Sequence, residues 1–233
     1  MCAKKLSSDV LVYFGGYDVG TATTSVSITQ QVDALDTTAL GDAGERVLAG
    51  LRKDEVAWAG LFDDGTSMDA AAAALVPTGT SVFSVLLGSG TGSVAYSGTA
   101  FNLQGKAVGA MAELVKYEAV LKPDLSLERG LVLPSKTTIT GSASQGTLDN
   151  TTLTTAGGAW GVHVFGYTGA GTGTLGLEHS STGTAWVVLG TLVGINALRS
   201  ARQTFTGTVN RYTRVIGTLA GTNMTYATVF IRS

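Results

Sequence analysis

The alternation of apolar and polar residues from Ser25 to Val32 is the feature that most constrains how this chain can fold. Val26, Ile28 and Val32 lie on one face of an extended segment, and the opposite face carries only serine, threonine and glutamine. A period of two residues is that of a β-strand with one buried face. The segment Val56–Phe62 follows the same rule, because bulky residues alternate there with alanines. We therefore predict two strands of a sheet.

A long segment, Asp36–Asp54, separates these two predicted strands. It contains Gly41, Gly44 and Gly50, and it carries charged side chains of both signs. We predict that it is a loop. Long loops are uncommon in compact domains and are usually functional, so this loop is the first candidate for a functional site.

The composition is typical of an ordered all-β protein. The 233 residues include 32 glycines and 3 prolines, charged residues make up 14%, and the mean hydropathy is +0.27. Disordered chains combine high charge with low hydrophobicity, whereas a Thr-, Val- and Gly-rich chain suits short strands joined by turns. One cysteine, Cys2, excludes an intramolecular disulfide. No apolar run is long enough for a membrane span, and no signal peptide is evident at the N-terminus, so we expect a cytoplasmic location until release.

The segment Thr66–Val76 predicts the one helix of the chain. Ser67 suits the N-cap, the alanine run has high helix propensity, and Pro77 ends the segment. We expect the Ser67–Val76 helix to flank the strands. Further strands are predicted at Ser81–Leu87, Ser93–Leu103 and Met111–Lys122.

The segment Lys122–Lys136 is the predicted boundary between two domains. It holds two of the three prolines, and the charge changes sign across it. Residues 1–135 carry 9 Lys and Arg against 15 Asp and Glu, whereas residues 136–233 carry 6 against 2. We predict a first domain at 1–135, with a β-barrel or sandwich core at about 8–122 and the linker after it. Residues 136–233 are predicted to form an outward-facing Ig-like or jelly-roll-like β-sandwich.

The sequence contains no motif with the spacing of a catalytic or metal site. The GSGTGS segment, Gly88–Ser93, is followed by a predicted strand rather than a helix, which favours a hairpin turn over a phosphate-binding loop. His163 and His179 lie on separate predicted strands, and zinc ligands usually occur at shorter spacing. We therefore predict that the protein is not an enzyme and has no catalytic residue, metal or cofactor.

An acidic cluster lies on both sides of the second predicted strand. It consists of Asp54, Glu55, Asp63, Asp64 and Asp69. We interpret it as a solvated rim and helix start, with paired-carboxylate chemistry or calcium binding as alternatives.

Four sequence segments, taken in order, resemble the major tail (tail tube) proteins of long-tailed bacteriophages. They are GYDV at Gly16–Val19, DALDTTALGD at Asp33–Asp42, AGLRKDEVAWAGLFDD at Ala49–Asp64, and the helix that follows. The resemblance extends over about Val10–Leu121. It implies hexameric rings whose strands together form a continuous inner β-barrel, and stacking of those rings into a tube.

The resemblance also implies a set of partners and a place. The partners are further copies of the chain, a tape measure protein, tail terminator and tail tip proteins, and double-stranded DNA that passes without specific binding. The place is the virion tail, which is assembled in the host cytoplasm. Because acidic walls repel phosphate, the net negative first half suits the lumen of such a conduit.

The loop between the first two predicted strands is the candidate contact between rings. Its candidate residues are Asp42, Glu45, Arg46, Val47, Leu48, Leu51, Arg52, Lys53 and Asp54.

Two alternative functions remain open from the sequence. One is a carbohydrate-binding or adhesive surface protein, with Trp160, Trp186, Arg211 and Arg214 as candidate surface-binding residues in the second half, where the host cell surface is the partner. The two tryptophans are more simply interpreted as core residues of a sandwich. The other alternative is the tube protein of a contractile injection system.

Overall fold

Sixteen β-strands run through the described part of the chain. The computed structural model describes residues 9–39, 43–61, 71, 81–109, 113–124 and 127–233. The strands are β1 Leu11–Phe14, β2 Tyr17–Asp18, β3 Thr23–Asp36, β4 Val47–Leu61, β5 Ser81–Leu86, β6 Val94–Val108, β7 Lys116–Pro123, β8 Glu128–Val132, β9 Thr137–Ile139, β10 Ala143–Asp149, β11 Gly158–Thr168, β12 Gly173–Ser180, β13 Val187–Ile195, β14 Arg199–Phe205, β15 Tyr212–Leu219 and β16 Asn223–Arg232.

The all-β prediction is confirmed, and alternation of side chains explains the strands. Along β4, Val56 and Trp58 are buried, while Ala57 between them and Ala59 after them are half-buried. Along β7, Tyr117, Ala119 and Leu121 are buried and alternate with residues that are exposed or half-buried. The predicted helix lies outside the described residues except for Ala71, which is helical and completely buried.

Two sheets contain these strands. The larger sheet follows the order β14-β11-β16-β8-β6-β5-β1-β2, with β7, β4 and then β3 branching from β6, and β9 pairing with β16. The smaller sheet has the order β10-β15-β12-β13. β6 is long enough to belong both to the main path of the larger sheet and to its branch. Its first part, Val94–Ala100, pairs with β5 and β8, and its second part, Ala100–Val108, pairs with β7.

Residues of the second half form a β-sandwich. Trp160 and Phe230 of the larger sheet lie in one buried cluster with Leu175, Leu177 and Val215 of the smaller sheet. A separate cluster in the first half contains residues of β1, β4, β5 and β7. Each half therefore has its own hydrophobic core.

A third buried cluster joins the two halves. Its members are Tyr13, Leu86, Ala95, Val132, Ala159, Ala227, Val229 and Ile231. The segment predicted to be a linker is part of the larger sheet, because β8 lies within it and pairs with β6 on one side and β16 on the other. At Gly130 of β8, an added Cβ would lie 2.6 Å from the Phe230 carbonyl oxygen. The strands approach so closely that only glycine fits there.

His163 ties the halves together with hydrogen bonds. Its Nδ1 lies 2.7 Å from the Gly15 carbonyl oxygen, and its Nε2 lies 2.8 Å from Ser84 Oγ. The carbonyl can only accept, so Nδ1 donates the hydrogen bond to Gly15. Burial lowers the pKa of His163 to about 4. The imidazole is therefore a neutral structural element, not a metal ligand or general base.

The buried histidine predicts a loss of stability in mild acid. Its pKa is about 4 in the folded protein against an ordinary value of 6.5, so the unfolded chain binds the proton first and the penalty grows as pH falls from 6.5 towards 4. Each pH unit of that separation corresponds to about 1.4 kcal/mol, so we expect a loss of about 3 kcal/mol across the window. Urea unfolding at several pH values would measure it. His163→Gln should flatten the dependence between pH 6.5 and 5; an unchanged slope would contradict this origin.

Candidate assembly site

A two-stranded arm projects from the first half of the molecule. β3 and β4 pair along almost their whole length, from Thr23 opposite Gly60 to Asp36 opposite Val47. β7 pairs with β4 only from Val56 to Leu61. Residues 29–39 and 43–55, which we call the arm, therefore extend beyond the rest of the sheet. The predicted Asp36–Asp54 loop is wrong in extent, because β4 begins at Val47.

A bulge helps to explain why sequence reasoning missed this half of the hairpin. The register changes between Val32 and Ala34, so that Gly50 and Leu51 of β4 lie opposite the single residue Asp33. Such a bulge interrupts the two-residue alternation. The remaining sequence signal for this part of the strand was the apolar pair Val47 and Leu48, which lies beyond the bulge.

The base of the arm is clamped to one backbone residue, Leu127. Asp54 Oδ2 accepts a hydrogen bond from the Leu127 N–H at 2.8 Å. The Leu127 carbonyl accepts from Gln30 Nε2 at 2.9 Å and from Arg52 Nη2 at 3.2 Å. Arg52 also forms an ion pair with Asp54, at 2.8 Å between Nη2 and Oδ2. This network fixes where the arm leaves the sheet.

The clamp changes the interpretation of three predicted contact residues. The Asp54 side chain is 2% exposed, so it is a buried anchor rather than a contact residue. Arg52 is committed to Asp54 and Leu127 although part of its side chain remains exposed. Lys53 forms an ion pair with Asp33 across the strands, at 2.8 Å between Nζ and Oδ2.

Removing the Asp54 carboxylate should measurably weaken the arm's attachment. Asp54→Ala leaves the buried Leu127 N–H without its acceptor, and we expect a loss of about 1–3 kcal/mol in unfolding free energy. Asp54→Asn is the matched control, because its amide oxygen can still accept that bond, so it should lose less. Urea unfolding of both variants gives the comparison. Equal losses would show that the hydrogen bond to Leu127 contributes nothing of its own.

The arm beyond the clamp exposes large apolar side chains. Leu35 and Leu48 are directly paired and are 54% and 60% exposed, and Leu51 is 81% exposed. Val32 and Val47 are also exposed. Apolar side chains grouped on a projecting element indicate a contact surface. The arm therefore brings together three of the predicted contact residues, Val47, Leu48 and Leu51.

Hydrogen bonds order the described part of the arm's tip. The Thr37 N–H donates to the Arg46 carbonyl at 2.9 Å, and the Arg46 N–H donates to Thr38 Oγ1 at 2.9 Å. Asp36 accepts from the Thr38 N–H at 2.8 Å, and hydrogen bonding from Thr38 lowers the pKa of Asp36. Glu45 is exposed. The predicted contact residue Asp42 lies outside the described residues.

The four-strand sheet, which we define as β3, β4, β7 and Ala100–Val108 of β6, has a polar face opposite its buried face. Alternation places small side chains on this face, including Ser25, Ser27, Ala57 and Ala59. Its charged residues are Lys53, Lys106, Lys116, Lys122, Asp33, Glu55 and Glu118. Lysines thus balance the acids, and the acidic character expected for a lumen is not found on this face.

The candidate surface-binding residues of the second half are already engaged within the molecule. Trp160 is 0% exposed, which excludes it from a binding surface and places it in the core. The guanidinium of Arg214 lies 4.1 Å from the centre of the Trp186 ring, and Arg214 Nε donates to Glu178 at 2.7 Å. Arg211 forms an ion pair with Asp149.

The positive charge of the second half is internally compensated. Lys136 pairs with Asp18 and Arg202 with Glu128, so two of these cations bind acids of the first half. Two further arginines, Arg199 and Arg232, donate to backbone carbonyls. Part of the charge difference between the halves therefore lies in groups that form ion pairs from one half to the other.

Other site types find no support in the described residues. No group of three or more His, Cys, Asp or Glu that could hold a metal ion occurs among them. No described helix is long and apolar enough to cross a membrane. His179 Nδ1 accepts from the Asn210 N–H at 3.0 Å, so each histidine has its own structural partner and the two do not form a site.

Comparison with known proteins gives weak structural likenesses. No family model and no curated protein matches the chain. A chain in the virion of a native gene transfer agent particle is similar at 17% identity and a TM-score of 0.46, and the alignment covers 54% of this chain and 98% of that one. A chain in the tail of an empty gene transfer agent particle, with C6 symmetry, gives 17% identity and a TM-score of 0.45 over the same shares of the two chains.

A third solved structure is similar over nearly the whole length. The SPP1 Dit (gp 19.1) protein, described as a paradigm of the hub adsorption apparatus of phages that infect Gram-positive bacteria, is 11% identical with a TM-score of 0.41. The alignment covers 95% of this chain and 98% of that chain. At such identities and TM-scores, these likenesses do not establish a family for this chain.

Proposed function

We propose that the protein is a structural tail protein of a bacteriophage or a related particle, and that it is the tail tube subunit. Copies join side by side into hexameric rings, and the rings stack into a conduit for DNA. The observation that carries this proposal is the four-strand sheet, which has an open edge on each side among the described strands.

The first open edge is β3. Along its 14 residues, Thr23–Asp36, β3 pairs with β4 alone among the described strands. It contains no proline or lysine and is rich in threonine, serine and valine. Edge strands of soluble monomers are usually protected by such residues, by bulges or by brevity, since an unpaired edge recruits other strands. The register with β4 is irregular at Thr23/Ser25 and at Val32/Ala34, but Ser25–Val32 is regular and has no proline or lysine, which suits pairing with another copy.

The second open edge belongs to β6. Its side that faces β5 is paired only as far as Ala100, and no described strand lies beside Phe101–Val108 on that side. Joining this edge to β3 of a neighbouring copy would continue the sheet around a ring and leave no edge exposed. The same contact repeats in every copy, and it closes into a ring when the rotation between neighbouring copies divides a full turn evenly, as it does for six copies.

The dimensions of such a ring suit a DNA conduit. Six copies of the four-strand sheet would give twenty-four strands. With strands about 4.8 Å apart and tilted by about 40°, the backbone-to-backbone diameter is on the order of 50 Å. A wall made of the small, charge-balanced side chains of the polar face would neither bind nor strongly repel the phosphates.

The arm is then the contact between stacked rings, because its apolar end projects along the strand direction beyond the body of the sheet. Tape measure, tail terminator and tail tip proteins would be the further partners, and the virion tail, built in the host cytoplasm, the location. The carbohydrate-binding alternative receives no support from the described residues, since Trp160 is buried and Arg211 and Arg214 are paired with acids. A tube of a contractile system would use the same sheet, and a neighbouring sheath gene would identify it.

Electron microscopy of the purified protein tests the proposal. We expect negative-stain images of concentrated protein to show rings and tubes with a central channel, and light scattering after size exclusion to show hexamers or multiples of them. Protein that stays monomeric at every concentration and ionic strength tested would contradict the proposal.

A further inference from the structure

Exposed apolar side chains are concentrated at the two opposite ends of the four-strand sheet. Of the 13 exposed large hydrophobic residues in the described part of the chain, five lie on the arm. Three more, Val108, Leu114 and Val115, surround the turn between β6 and β7, and we call them the hairpin patch. Leu114 is 73% exposed, which makes it second only to Leu51. One sheet thus carries most of the exposed apolar side chains.

Strand pairing places the two groups at opposite ends. Leu61, at the end of β4 remote from the arm's tip, is paired with Lys116, and Lys116 is paired with Val108. The hairpin patch therefore lies beyond Leu61, while Leu48 lies near the start of the same strand. Thirteen residues separate Leu48 from Leu61, which corresponds to about 43 Å along the strand. The two groups cannot meet within one copy.

The charges around the two groups are complementary. The described residues at the arm's tip, 36–39 and 43–46, contain two acids and one arginine, whereas the described residues 106–109 and 113–116 contain two lysines and one glutamate. Glu45 and Asp36 are exposed at the arm's tip, and Lys106 and Lys116 are exposed near the hairpin patch. Opposite net charge at matching apolar surfaces favours contact between unlike ends and disfavours contact between like ends.

We infer that the hairpin patch is the surface that receives the arm of a second copy of this chain. The inference rests on the proposed function and names the receiving surface for the arm. The contact is head to tail: Leu35, Leu48 and Leu51 of one copy pack against Val108, Leu114 and Val115 of the next. A contact between two different surfaces leaves one of each free at the ends of a stack, so growth continues without closing.

Cysteine cross-linking in the full-length protein tests the assignment. In a Cys2→Ser background, Leu48→Cys and Leu114→Cys are combined, and the concentrated protein is treated with a short bis-maleimide. We expect a ladder of covalent multimers that requires both cysteines. Leu48→Cys paired with Val188→Cys is the matched control, because Val188 is 55% exposed but lies in the second half; it should give no ladder.

A second measurement does not depend on the exact position of the cysteines. Leu114→Asp places an acid in the hairpin patch, and we expect the protein concentration needed for tubes to rise roughly tenfold or more. Val188→Asp should leave that concentration unchanged.

Three results would overturn the inference. Cross-linked dimers from Leu48→Cys alone would mean that two arms meet each other. Normal tubes from the Leu114→Asp variant, together with no ladder from the separate Leu48→Cys/Leu114→Cys protein, would remove the hairpin patch from the contact while leaving the proposed function intact. Absence of any assembly by the unsubstituted protein would overturn both proposals.

Discussion

A chain ending at Ser135 is expected not to fold. Removing residues 136–233 takes away β16, which pairs with β8, and uncovers Tyr13, Leu86 and Val132 in the cluster that joins the halves. Each large apolar side chain returned to water costs roughly 1.5–3 kcal/mol. The sum is comparable to the whole stability of a typical domain, about 5–15 kcal/mol. His163, which binds Gly15 and Ser84, is lost as well.

The measurement is the soluble fraction on expression, followed by near-ultraviolet circular dichroism and urea unfolding. We expect an aggregated or molten product without a cooperative transition. A soluble fragment 1–135 with a sharp transition would contradict the prediction and would mean that the second half is a dispensable addition to a self-sufficient domain. The same fragment would then be the material for testing ring formation without the second half.

Replacing the exposed leucines of the arm should abolish long assemblies while leaving the fold intact. Leu35, Leu48 and Leu51 are more than half exposed, so the triple change to serine should alter the stability of the single copy little, as surface substitutions usually do. In a tube those side chains would be buried, each contributing roughly 1.5–3 kcal/mol. We therefore expect the concentration needed for tubes to rise by about a thousandfold or more.

The chain supplies a closely matched control for the arm variant. Val187, Val188 and Val193 of β13 are 60%, 55% and 63% exposed, and changing all three to serine removes a comparable apolar surface from the second half. Electron microscopy and sedimentation of both variants should show tubes only for the control. Normal tubes from the arm variant would eliminate the arm as the contact between rings.

The local sequence was sufficient to predict the strands along which buried and exposed residues alternate. Val26 and Ile28 of β3, and Val56 and Trp58 of β4, follow the two-residue period that the sheet requires, and both predicted strands exist. The second strand of the arm was missed because Gly50 forms part of a bulge and because Arg52 and Asp54 resemble loop residues. Their partner, Leu127, is more than 70 residues away in sequence, and no local pattern reveals it.

The joint between the halves was also beyond local reasoning. Prolines lie on either side of β8, so the sequence predicts a linker between domains there. Only the pairing of β8 with β16 shows that it is a central strand of the sheet. Gly130 was a possible signal, since a glycine within a strand often marks a close approach of another backbone. For the second half, the simpler interpretation as a core residue is confirmed for Trp160 but wrong for Trp186, which is half-buried and packs against Arg214.

The position of β16 in the sheet has a consequence for the order of events during synthesis. Val229 and Phe230 pair with Val132 and Leu131, about a hundred residues earlier in the chain, and contacts of such long range form slowly. The open edge of β3 is made early, whereas the strand that completes the central sheet is made late. A nascent chain is thus unable to present a finished sheet to its neighbours before residues 223–232 have been added. In the proposed tube, only copies synthesised through β16 would therefore present a finished sheet to their neighbours.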